Sequence, residues 1–88
     1  MATKNHVSLN GTASAAAQST EINAKSISWI SNNGAYDMLI NFEETTTTSG
    51  AFKLQAGSVV NDIDIPVGTI YYSASGGDCS FSLFGIAR

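Results

Sequence analysis

The stretch Thr69-Ile70-Tyr71-Tyr72-Ser73-Ala74-Ser75-Gly76-Gly77-Asp78-Cys79-Ser80-Phe81-Ser82-Leu83-Phe84 decides the fold class. It opens with β-branched and aromatic residues, which fit a pleated surface better than a helix. Ser75 to Asp78 then cluster turn formers, two of them glycines free to take positive φ. From Cys79 onward polarity alternates: Cys79, Phe81 and Leu83 share one face, Ser80 and Ser82 the other. A period of two marks a half-buried strand.

The same grammar extends upstream. Ile27 and Trp29 alternate with Ser26 and Ser28, with Ile30 out of step. Asn32-Asn33-Gly34 supplies residues suited to a tight hairpin turn. Met38, Ile40 and Phe42 alternate with Leu39 and Asn41, so residues 27–42 read as two antiparallel strands. Glu43 to Gly50 holds no large apolar side chain and reads as a solvated loop. Phe52 and Leu54 resume the alternation, Ala56-Gly57-Ser58 turns the chain, and Ile63, Ile65 and Val67 share a side opposite Asp62 and Asp64. Pro66, lacking a backbone donor, suits a strand end or edge. Six or seven short strands result, spaced as in an all-β sandwich or barrel. We read a small antiparallel β-sandwich of jelly-roll type, its core drawn from Ile27, Trp29, Met38, Ile40, Phe42, Phe52, Leu54, Ile63, Ile65, Ile70, Phe81 and Leu83. Residues 1–18 differ: Val7 and Leu9 are the only large aliphatics after Met1, on one side of a short extended piece. They form an N-terminal arm, and residues 19–88 the sandwich domain.

The chain's 88 residues allow one domain. Burying about 60% apolar area at roughly 25 cal/mol per Å² yields on the order of 125 kcal/mol, against about 130 kcal/mol for ordering the chain. A lone monomer is therefore marginal, and subunit contacts would help it. Only 12% of residues are charged, about half the usual quarter, while 27 are Ser, Thr or Asn. The formal charge is −3, and the cations Lys4, Lys25, Lys53 and Arg88 are scattered, which argues against nucleic acid as a partner. No apolar run approaches the roughly 18 residues of a membrane span, and the N-terminus lacks a signal-peptide core. The expectation is a soluble protein made in a cytoplasm, with no membrane partner.

Catalytic chemistry is hard to assemble from these residues. His6 is the single histidine, placed in the arm, and no nucleophile elbow occurs. Cys79 alone can form neither an internal disulfide nor a multi-cysteine zinc site, and it reads as a small buried hydrophobe. Asp62 and Asp64 lie on one strand face about 7 Å apart, a fragment of a calcium site. The reading adopted is a solvent-facing alternation that discourages edge pairing. We expect no catalytic residues, no metal and no cofactor. The residues are better suited to contact surfaces. Tyr71 and Tyr72 are adjacent, so one faces in and one out, and an outward Tyr72 with Tyr36 forms a candidate patch. Val7 and Leu9 of the arm, and Thr46 and Thr47 of the loop, complete the candidates for protein interaction.

One resemblance reaches beyond class. An Ala/Ser-rich opening (Gly11 to Gln18) precedes a strand ending in Asn-Asn-Gly (Ile27 to Gly34) and a second strand (Asp37 to Phe42). A Thr/Ser loop follows, then Phe52-Lys53-Leu54-Gln55-Ala56-Gly57-Ser58 and Ile65-Pro66-Val67-Gly68-Thr69-Ile70-Tyr71-Tyr72, and a Gly-bearing turn before the last strand. This order, over residues 11–88, resembles the small virion proteins of tailed bacteriophages that decorate or cement the capsid or accompany the tail. The resemblance implies a non-enzymatic β-sandwich that binds its own kind and a protein shell. The expectation is a capsid decoration protein, trimeric, bound to the outer surface of the major capsid protein in the virion after synthesis in the host bacterial cytoplasm. The alternative is a place at the tail, the head-to-tail junction or a fibre. A second alternative is a small carbohydrate-binding module using Tyr36, Tyr71 or Tyr72 as a stacking platform.

Overall fold

The computed structural model of the chain describes residues 6–43 and 51–88, and contains seven strands among them. They are β1 (His6–Ala13), β2 (Gln18–Asn32), β3 (Asp37–Asn41), β4 (Phe52–Leu54), β5 (Val59–Ile63), β6 (Val67–Ser75) and β7 (Cys79–Ala87). All pairings are antiparallel, in the order β1-β7-β2-β6-β3-β4, with β5 also on β2. The chain is thus an all-β, small antiparallel sandwich.

The 15-residue β2 makes one sheet into two layers. Its second half pairs with β7 on one side and β5 on the other: Trp29 faces Phe84 and Asn61. Its first half pairs with β6 instead, Thr20 against Ile70. Between the halves the register shifts from Glu21 to Ala24, around Asn23 at φ 48°. Asn tolerates this left-handed conformation better than most residues, and a bulge there bends the strand. One layer therefore holds β1, β7, the second half of β2, and β5. The other holds the first half of β2, β6, β3 and β4. Tyr72 of β6 and Phe81 of β7 share no backbone ladder, yet their rings meet at 4.7 Å across the core. Apart from β3 and β4, which pair within one layer, successive segments alternate between layers, as jelly-roll connections do.

Ile27, Met38, Ile40, Leu54, Ile70, Phe81 and Leu83 are buried as the alternation indicates, and so is Cys79. Phe42, Phe52 and Ile63 pack against this core partly buried. Two expected core residues face solvent: Trp29 is 36% exposed and Ile65 49%. A register shift between Ile27 and Trp29 moves Ile30 inward in the place of Trp29. Ile65 falls in the break between β5 and β6, beside Pro66, so it belongs to no ladder; Val67 takes the core position at 1%.

The two strongest turns are not hairpins. No ladder joins β2 to β3 or β6 to β7; each connection crosses from layer to layer. Asn32 explains the first crossing. It is 1% exposed, and its Nδ2 donates to the carbonyls of Tyr36 and Leu54, both at 2.9 Å. Its Oδ1 accepts from the Gly34 amide at 3.0 Å and from the Cys79 thiol at 2.8 Å. One side chain therefore ties the arch to β4 and to the start of β7. Gly34 is required there because a Cβ would strike the Cys79 Sγ and lie 2.9 Å from the backbone of the same residue.

The residues 6–13 of the arm form β1, paired one to one with β7 from His6 opposite Ile86 to Ala13 opposite Cys79. They are the terminal strand of the same sheet.

Candidate interaction surface

The outer face of the β1-β7-β2 layer is set by the register. Even-numbered residues of β1 and β7 point outward, and after the β2 register shifts so do Trp29 and Ser31. One row across the sheet is Ser8, Phe84, Trp29, Asn61; the next is Asn10, Ser82, Ser31, Val59. Phe84 stacks against Trp29 at 6.2 Å with the rings 22° apart, and against His6 at 5.7 Å and 24°. Trp29, Ile86 and Val59 are all exposed large hydrophobics of this layer.

The second row is a ladder of neutral hydrogen bonds. Ser82 Oγ donates to Asn10 Oδ1 at 2.8 Å, Asn33 Nδ2 to Ser82 Oγ at 3.1 Å, and Ser31 Oγ to Asn33 Oδ1 at 2.7 Å. Charge is absent from three of the strand segments that build this face, while β5 contributes Asp62 beside Asn61. β1, β7 and residues 26–32 of β2 contain no Lys, Arg, Asp or Glu, while Glu21, Lys25, Asp37, Glu43, Lys53, Asp62, Asp64, Asp78 and Arg88 all lie outside them. Such a face can be desolvated without stripping water from an ion, the expensive step in burying polar surface.

The candidates that the sequence suggests are distributed differently. Val7 and Leu9 point inward from β1 and pack against the core, lining with Ile22 a cleft of about 360 Å³ whose rim carries His6, Glu21 and Arg88. Tyr36 is 42% exposed, its ring lying over the Gly76-Gly77 backbone. Tyr72 points inward, contrary to the outward placement expected of it: it is 8% exposed, faces the core with its ring on Phe81, and its hydroxyl bonds Thr20 Oγ1 at 2.9 Å. It shares a face with Ile70, so of the tyrosine pair Tyr72 is the inward one. Thr46 and Thr47 lie outside the described residues. The tyrosines Tyr36, Tyr71 and Tyr72 are not gathered into one platform. The aromatic group that is gathered, His6, Phe84 and Trp29, escapes a reading by alternation, because Trp29 then counts as core and Phe84 only closes the run from Cys79. A ring spacing near 6 Å with small tilt is offset face-to-face packing. The rings thus turn faces to each other and edges outward.

Asp62 and Asp64 line a shallow pocket of about 230 Å³ with Ser26 and Ser28. Among the described residues no three His, Cys, Asp or Glu side chains come together as a metal site. No helix of the described structure is long and apolar enough to cross a membrane.

The arrangement defines a small all-β sandwich with a neutral, partly apolar outer face. No protein-family model and no curated protein matches the sequence. Among solved structures, the crystal structure of PirA is similar at TM-score 0.55 and 13% identity, over 91% of this chain and 93% of that one. RmlC from Streptococcus suis, in complex with dTDP-D-xylose, is similar at TM-score 0.55 and 11% identity, over 96% of this chain but 44% of its own. A chain from a structure of Bacillus endospore appendages, described as a family of disulfide-linked pili, aligns at TM-score 0.48 and 17% identity, over 96% of this chain and 87% of that one. At these identities the first two likenesses speak to the fold alone.

Proposed function

We propose that the chain is a non-enzymatic structural protein of a tailed-bacteriophage virion, a decoration or cement protein that binds the outer surface of the capsid shell and stabilises it. The virion assignment rests on the sequence resemblance over residues 11–88. The observation that carries the binding role is the charge-free β1-β7-β2 face with Trp29, Phe84 and Ile86 upon it. Pressed on a shell, this face gains about 25 cal/mol for each Å² of apolar area removed from water. The Asn10-Ser82-Asn33-Ser31 ladder supplies neutral donors and acceptors beside it. Attachment of this kind depends little on ionic strength, since no exposed charge pairs are made or broken.

The test is co-sedimentation of the purified chain with capsids that lack it. The expected result is saturation at hundreds of copies per particle, little changed between about 0.05 and 0.5 M salt. Trp29→Ala with Phe84→Ala weakens it at least tenfold, as removal of central aromatic anchors does. Saturation at 6 or 12 copies would move the protein to the tail or junction. No co-sedimentation, or binding lost in salt but indifferent to Trp29 and Phe84, would refute the reading.

A further inference from the structure

The sheet's terminal edges are not alike. β4 ends the path with three residues, one of them Lys53. β5 carries Asp62 at φ 58°, which breaks its regular edge. The first half of β2 carries exposed Glu21 and the Asn23 bulge. Short length, charge and bulges are the means by which proteins keep edges from pairing. β1 has none of them. It runs eight residues in unbroken register, contains no proline and no Lys, Arg, Asp or Glu, and among the described residues pairs on one side only, with β7. Its inward side chains Val7 and Leu9 line the cleft along this seam together with Ile22, beside the polar Thr20, Glu21, Asn23 and Arg88.

From this contrast we propose that the free edge of β1 takes the β1 strand of a second copy of this chain, antiparallel and related by a two-fold axis. The edge presents backbone donors and acceptors, which only an extended backbone satisfies along its length. The occupant is a second copy because β1 is complementary to itself. With Leu9 on the axis, Leu9 meets its equivalent and Val7 lies over Gly11 on the inner face. On the outer face Ser8 meets Asn10, and His6 meets Thr12. No like charges oppose one another although each chain carries a net charge of −3. The seven paired residues add about six to eight backbone hydrogen bonds. The incoming strand runs along the mouth of the cleft and covers its floor of Val7, Leu9 and Ile22. This pairing does not depend on the virion reading.

Sedimentation equilibrium of the full chain tests it. The wild type should be a dimer with a dissociation constant in the micromolar range, as a small interface gives, and its melting temperature should rise with concentration. Ser8→Lys with Asn10→Lys places like charges directly opposite across the axis, at positions exposed in the single chain. It should raise the dissociation constant about tenfold with unchanged far-ultraviolet circular dichroism. The matching variant, Ser8→Glu with Asn10→Glu, should be equally weak alone, and an equimolar mixture of the two should recover the wild-type constant or better. β1 amides should exchange more slowly in concentrated wild-type solution than in dilute. A wild type monomeric at about 100 µM, a mass of three chains, or a dimer unmoved by the lysine pair overturns the proposal. So does a mixture that fails to recover. Capsid binding with a monomeric wild type would sink this proposal and leave the function standing; a dimer indifferent to capsids would do the reverse.

Discussion

Replacing Asn32 by alanine tests the account of how the layers are joined. The side chain is 1% exposed and serves four partners: the carbonyls of Tyr36 and Leu54, the Gly34 amide and the Cys79 thiol. Alanine returns none of these bonds. A buried hydrogen bond contributes about 1 kcal/mol net, and a partner left dry costs about 1–3 kcal/mol. The two carbonyls and the amide are the strong partners, so the loss is about 3–5 kcal/mol. A domain of this length has roughly 4–13 kcal/mol in total. Asn32→Ala should therefore remove a large fraction of the stability and lower the melting temperature by about 15 °C or more. Urea denaturation followed by circular dichroism reads the change directly. Asn33→Ala is the control: its bonds to Ser31 and Ser82 are on the surface, and its loss should be about 1 kcal/mol or less. An Asn32→Ala variant within about 1 kcal/mol of the wild type would refute the argument that this amide holds the arch.

Further outcomes follow from the same packing. Gly34→Ala should cost about 2 kcal/mol or more in the same assay, since its Cβ meets Cys79. Adding Cys79→Ala relieves the clash with the sulfur but leaves the new methyl 2.9 Å from the residue 79 backbone, so recovery should be partial. Tyr72→Phe keeps the ring on Phe81 and removes only the bond to Thr20, for a loss of about 1 kcal/mol by chemical denaturation. No loss would mean that the hydroxyl finds water instead.

Periodicity makes the strands and much of the core readable. Met38, Ile40, Leu54, Ile70, Phe81 and Leu83 are all on the inner face that alternation assigns them. Pairing is not readable in the same way, and Asn32-Asn33-Gly34 shows why. Turn residues specify local backbone angles, which an arch needs as much as a hairpin does. Whether the flanking strands then pair depends on distant partners, here Leu54 and Cys79. Trp29 departs from expectation for a related reason: the register shift after Ile27 changes which parity faces inward, and Ile30, visibly out of step in the sequence, is its signal. Tyr72 is within reach of the sequence, because the core position of Ile70 puts residue 72 on the same face.

The low charge content also has a different meaning in three dimensions. Read as composition, 12% charged residues describe a surface thinly supplied with ions throughout. In the structure the ions are sorted rather than diluted. The charges on β4, β5 and the first half of β2 coincide with short, broken or bulged strands, where pairing is discouraged twice over. β1 and β7 have neither charge nor break, and they are also where Phe84, Ile86 and the serine-asparagine ladder lie. If solubility alone governed the surface, a terminal strand would be the first place to put a lysine. Its omission from β1, and from the face beside it, is the pattern expected when one edge and one face are kept for contact while the remaining edges are closed.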